Sequence, residues 1–117
     1  MPKYLIKASY TAEGIKGVLK EGGTSRRSAV EQLAKGLGGG VEAFYFAFGD
    51  DDVYTILEFP DNVSAAAVSM TVCSAGAVRS TVTVLLSPEE VDQAAKTSVS
   101  YRAPGAAKRA ASTRRRG

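Results

Sequence analysis

Two runs of alternating apolar residues, Val41 to Phe48 and Val53 to Phe59, flank the acidic turn Gly49-Asp50-Asp51-Asp52. Alternation with a period of two is the pattern of a strand, and two such runs around a Gly/Asp turn predict a β-hairpin. The first run sets Phe44, Phe46 and Phe48 on one face and Val41, Ala43, Tyr45 and Ala47 on the other. The second sets Val53, Thr55, Leu57 and Phe59 against Tyr54, Ile56 and Glu58. Strands apolar on both sides need cover on both sides. Helices cover one face of a small sheet, and a second subunit is the expected cover for the other.

The flanking segments supply those helices and two outer strands. Lys3 to Tyr10 alternates, with Tyr4, Ile6 and Ala8 on one side and Lys3, Leu5, Lys7 and Ser9 on the other. Thr11 suits a helix N-cap, with Glu13 in the first turn where the helix dipole favours negative charge. Ile15, Val18 and Leu19 begin an apolar stripe, and Ala29, Val30, Leu33, Ala34 and Leu37 resume one beyond Gly22-Gly23. This predicts either one long helix with a kinked middle or two helices meeting there, with Ser28 and Glu31 as a capping box for a restart. Gly38-Gly39-Gly40 ends the helical run. Pro60-Asp61-Asn62 breaks the hairpin's second strand, and Asn62 to Ala75, stopped by Gly76, reads as a largely buried helix. Val78 to Leu86 is the fourth strand. Ser87-Pro88-Glu89-Glu90 opens a short third helix with Ser at the N-cap and Pro at the first helical position. The order β-α-β-β-α-β predicts an α+β plait, a four-stranded antiparallel sheet with helices on one face, ending near Lys96.

Charge divides the chain at the same place. Residues 1–96 carry nine Lys or Arg against twelve Asp or Glu, a net −3, whereas residues 97–117 carry six basic residues and no acid. That tail, rich in Ala, Ser, Gly and Arg, has no apolar period and is expected to be disordered or ordered by a partner. No apolar run approaches the roughly 18 residues that cross a bilayer, and Met1-Pro2-Lys3-Tyr4 leads directly into a strand, so a cytoplasmic protein without membrane contact is expected. Absence of His removes the usual general base near neutral pH and the commonest transition-metal ligand. Cys73 stands alone inside the second helical segment, where a small core residue is the ordinary reading. No cofactor signature is present.

The succession Tyr10-Thr11-Ala12-Glu13-Gly14-Ile15-Lys16-Gly17, then Lys20-Glu21-Gly22-Gly23-Thr24-Ser25-Arg26-Arg27, then Glu42-Ala43-Phe44-Tyr45-Phe46-Ala47-Phe48-Gly49-Asp50, closely resembles the bacterial GYD-domain proteins. The resemblance covers residues 3 to 96 and leaves the tail out. It implies a ferredoxin-like plait of the dimeric α+β barrel type, in which two sheets pack face to face, and it implies no particular activity. The motif that names the family carries a Tyr where this chain has Asp51, so no role is expected here that would need that hydroxyl.

Four places offer chemistry. Lys16, Lys20, Gly22, Gly23, Ser25, Arg26 and Arg27 combine flexible backbone, a hydroxyl and cations, the ingredients of a phosphate or carboxylate site, against the plainer reading of a kink with exposed charges. P-loop spacing is absent. Asp50, Asp51 and Asp52 bring three carboxylates to one turn, suited to a hard cation or simply to a polar hairpin tip. Tyr4, Tyr10, Tyr45 and Tyr54, with Lys7, Glu58 and Arg79 for polarity, suit a small-molecule pocket between helices and sheet or between two sheets, against the commoner role of strand aromatics in packing. Any acid–base chemistry there would fall to a Tyr or a desolvated Glu58. Lys108, Arg109, Arg114, Arg115 and Arg116 would meet nucleic acid through phosphates, without reading sequence. The expectation is an oligomeric small-molecule-binding or assembly module, dimeric through its sheet. A cofactor-independent monooxygenase- or isomerase-like enzyme is one alternative, and a nucleic-acid-associated protein acting through the tail is another.

Overall fold

A computed structural model describes residues 1–105. The chain forms two compact units, with the boundary between Leu85 and Leu86. The first runs β1 (Lys3–Tyr10), α1 (Ala12–Glu21), α2 (Gly23–Gly36), β2 (Gly40–Phe46), β3 (Val53–Glu58), α3 (Asn62–Ser74) and β4 (Val78–Leu85). The second contains α4 (Pro88–Lys96).

The four strands form one antiparallel sheet in the order β2-β3-β1-β4. Register across it decides which side chains share a face. Tyr4 lies opposite Leu57 and Val84, Ile6 opposite Thr55 and Val82, and Ala8 opposite Val53 and Ser80. These rows make the inner face, where Tyr4, Ile6, Leu57 and Phe59 form one buried cluster with Ala34 of α2 and with Ala65 and Val68 of α3. Full burial of side chains such as Tyr4, Leu57 and Phe59 stabilises by about 1.5–3 kcal/mol each, which makes this face the main source of cohesion. The Tyr4 hydroxyl is not stranded there, because it donates to Asn62 Oδ1 at 2.7 Å.

Three local rules place the helices. Thr11 caps α1 by accepting from the Gly14 N–H, and Asp61 caps α3 by accepting from the Ser64 N–H. In α4, Ser87 and Glu90 form a reciprocal capping box with Pro88 inside the start. The Gly22-Gly23 interruption is a true break: Gly22 takes φ +87°, a left-handed value that suits glycine, and the helix restarts at Gly23. Ser28 therefore sits inside α2, so the Ser28/Glu31 capping box does not form.

Two further expectations are corrected. Pairing shifts between Val41 and Ala43, where Glu42 is bulged, so Val41 joins Phe44 and Phe46 on the inner face while Ala43 and Tyr45 point outward. Phe48 lies beyond the strand and is fully exposed. The helix α3 is also less buried than its composition suggests. Ala65 and Val68 are buried, whereas Val63 (77% exposed) and Met70 (73% exposed) face solvent within the unit. Among the described residues no helix is long and apolar enough to cross a membrane.

Candidate functional site

The break at Gly22 sets the phase of α2 and thereby builds a cavity. Gly23 lies under the Phe46 ring, so closely that an added Cβ would come within 2.8 Å of Phe46 Cε2. Phe46 in turn meets Phe44 edge-on, with ring centroids 5.4 Å apart. One turn into α2, Arg26, Ala29, Val30 and Leu33 line the same space as Phe44. The opposite wall comes from Val68, Ser69 and Val72 of α3, and the floor from Ile6, Ala8, Val53, Thr55, Leu57 and Val82 of the sheet. The cavity between them holds about 140 Å³.

Its lining is overwhelmingly apolar. Arg26 is the one charged residue in that lining, joined by the polar residues Tyr10, Thr55, Ser69 and Ser80. The Thr55 hydroxyl is already engaged, donating to the Ala43 carbonyl at 2.7 Å. Ser80 lies 3.5 Å from the Cys73 sulfur, and this contact draws the Cys73 thiol below the ordinary cysteine value. Cys73 itself is exposed rather than a core residue. Arg26 Nη1 stands 3.8 Å from Glu21 Oε1, beyond hydrogen-bond reach, and its side chain is 34% exposed, which places it at the rim. A second, shallower hollow lies between α3 and β4, lined by Tyr4, Asn62, Ala66, Met70 and Val84.

The seven residues of the anion candidate are not gathered around one point. Lys16 pairs with Glu13 at 3.7 Å on the exposed side of α1, and Lys20, Ser25 and Arg27 are exposed. Gly22 serves the helix break and Gly23 the Phe46 contact, so of this group Arg26 alone joins the cavity.

The pocket candidate divides across the sheet. Tyr10 lines the cavity and Tyr4 the shallower hollow. Tyr45, Tyr54 and Lys7 form one row on the outer face, with Glu58 and Arg79 on the same side. A pocket holding all seven is thus excluded within one chain by strand alternation. Glu58 pairs with Lys3, whose Nζ lies 3.2 Å from its Oε2 and also bonds Glu42. The Glu42 hydrogen bond first, and Glu58 second, raise the Lys3 ammonium above its usual value.

The hairpin aspartates act as structural acceptors. Asp52 Oδ2 accepts from the Tyr10 N–H at 2.9 Å, and Asp51 Oδ1 accepts from the Ser9 hydroxyl at 3.2 Å. Both tie the turn to the end of β1. Among the described residues no group of three His, Cys, Asp or Glu side chains is placed to hold a metal ion, Asp50, Asp51 and Asp52 included. The tail residues Lys108, Arg109, Arg114, Arg115 and Arg116 lie outside the described residues.

The sequence reading offers a pocket between helices and sheet and names Tyr10, but misses its α2 wall, although that signal is present: Arg26, Ala29, Val30 and Leu33 stand at i, i+3, i+4 and i+7, one helix face carrying a single cation. No curated protein and no solved structure matches the chain. The family model described as the GYD domain does match, over residues 4–95, from the first strand into α4. A match across the whole sheet and the helices that wall the cavity makes this chain a member of the GYD-domain family.

Proposed function

We propose that this protein is a small-molecule-binding module that holds one compact, mostly apolar ligand between α2, α3 and the sheet. The single observation that carries this reading is the cavity of about 140 Å³. Native interiors are close-packed and leave few voids larger than a water molecule. An engineered apolar cavity of about 150 Å³ takes up benzene, so the space here matches a single ring or a short branched chain. Ligand sites are typically apolar with a few placed polar groups, and this lining has that makeup.

The module is a ferredoxin-like plait of the dimeric α+β barrel type, acting as a cytoplasmic homodimer. Its strand order, with β1 central and both helical connections on one side, supports the plait. The outer face supports the dimer: Leu5 and Ile56 sit side by side, flanked by Ala43, Tyr45, Tyr54 and Leu85, with Lys3, Lys7 and Glu58 around them. An apolar centre within a charged surround is the usual anatomy of an interface.

A thermal-shift screen of single-ring and short-chain compounds tests the binding role, because a ligand taken only by the native state raises Tm by mass action. Val72→Phe, which fills the cavity from α3, should abolish those shifts while the protein stays folded. A screen with no hit, or hits that survive Val72→Phe, refutes the reading. Sedimentation at micromolar concentration tests the dimer, and a single monomeric species would exclude it.

A further inference from the structure

We infer that the cavity's ligand is a monoanion, a single-ring or short-chain carboxylic acid whose carboxylate is held at the rim by Arg26. This inference rests on the binding role proposed above and adds the charge and orientation of the ligand.

Three observations converge. The lining contains one formal charge, the Arg26 guanidinium, and no carboxylate, so an anionic group meets attraction within the lining and faces Glu21 beside Arg26 at the rim. Glu21, the acid nearest Arg26, is 3.8 Å from Nη1 and forms a long ion pair that leaves the guanidinium fork open to a better-placed acceptor. A guanidinium presents donors in a planar fork that matches a carboxylate in bidentate fashion. The position of Arg26 then orients the ligand. Val30 and Leu33, both half-buried, lie at i+4 and i+7 from it on the same face of α2, so a carboxylate at Arg26 directs the attached ring or chain toward Phe44, Leu57 and Val82.

The rest of the lining sharpens the class. Of the polar side chains in the lining, Thr55 already donates to Ala43 and Ser80 is engaged with Cys73, which leaves few hydroxyls, those of Tyr10 and Ser69, for a ligand. Burying a polar group without a partner is unfavourable, which favours a ligand with one charged end and an apolar body over sugars and dicarboxylates.

The test uses the full-length protein, titrated calorimetrically with benzoate and with its neutral isostere benzamide, for the native chain and for Arg26→Gln and Val72→Phe. Charge-assisted hydrogen bonds are about twice as strong as neutral ones, so benzoate should bind the native chain about tenfold or more tightly than benzamide. Arg26→Gln should weaken benzoate far more than benzamide and so remove that preference, and added salt should weaken benzoate alone. Equal binding of the two probes, or a benzoate preference that survives Arg26→Gln, overturns the role of Arg26 and leaves the cavity reading intact. Failure of both probes to bind the native chain, or binding unaffected by Val72→Phe, overturns the cavity reading itself.

Discussion

Neighbouring residues on the same strands meet two different environments. On the inner face Tyr4, Thr55 and Leu57 are at most 5% exposed. One step along the chain, Leu5, Tyr54 and Ile56 are half-buried or exposed and share their face with Lys3, Lys7 and Glu58. Apolar residues on both sides of a strand therefore do not imply two equivalent cores. The inner face is mostly apolar because α2 and α3 lie over it, with Thr55 and Ser80 as polar members, and its packing opens at the cavity and at the hollow between α3 and β4. The outer face mixes apolar and charged side chains, a composition suited to association rather than to permanent enclosure within one chain.

The sharpest way to break this contrast is a pair of truncations on adjacent residues of β3. Leu57→Ala should destabilise by about 3 kcal/mol, the usual cost of deleting a buried Leu side chain. Ile56→Ala should cost about 1 kcal/mol in dilute solution, as for an average substitution. Equal losses in urea titrations would dissolve the distinction. If the outer face is covered by a second copy, the Tm gap between Ile56→Ala and the native chain should widen with protein concentration, because dimer stability follows mass action.

A smaller effect separates packed from open positions within α1. Gly14 faces the Ala77 carbonyl at the start of β4, and a Cβ there would collide with its oxygen, whereas a Cβ at Gly17 meets nothing within 4 Å. Gly14→Ala should destabilise by about 2 kcal/mol through overpacking. Gly17→Ala should stabilise by about 0.5–1 kcal/mol, since Ala replaces Gly inside a helix. Chemical denaturation of the two variants reads both signs directly.

The smallest expected effect concerns pH. Hydrogen bonding from the Ser64 backbone N–H holds the Asp61 carboxyl below its usual value. A group whose folded pKa is depressed contributes stability above its unfolded pKa, near 3.9, and loses it as pH falls through the folded value. Asp61→Asn keeps a good N-cap without the charge, so it should flatten this part of the Tm profile below about pH 4 and change little at neutral pH. An unchanged acid limb would remove Asp61 from the account.

Much of the fold was legible in the residues. Period-2 runs located all four strands, Thr11 and Ser87 marked two helix starts, and Gly38 to Gly40 marked a stop. The site was less legible, for reasons of phase. A helix break at Gly22 resets which residues of α2 face inward, so Arg26 read as one of several exposed cations instead of the single charge on an inward face. The bulge at Glu42 reset β2 in the same way, moving Val41 to the opposite face from the one alternation assigns. The tyrosine grouping failed because it collected residues by type, while a sheet sorts them by parity. Glu42 as a partner of Lys3, a contact 39 positions apart, has no local signal at all.

That bulge also bears on what happens when many copies are crowded together. As a border strand of the sheet, β2 would otherwise offer an even row of backbone donors and acceptors on which foreign strands stack into fibrils. Its misaligned residue is an acid whose side chain turns back to Lys3, so the margin is uneven at that point. The irregularity that re-aims Val41 inward thus doubles as a safeguard for solubility on that margin.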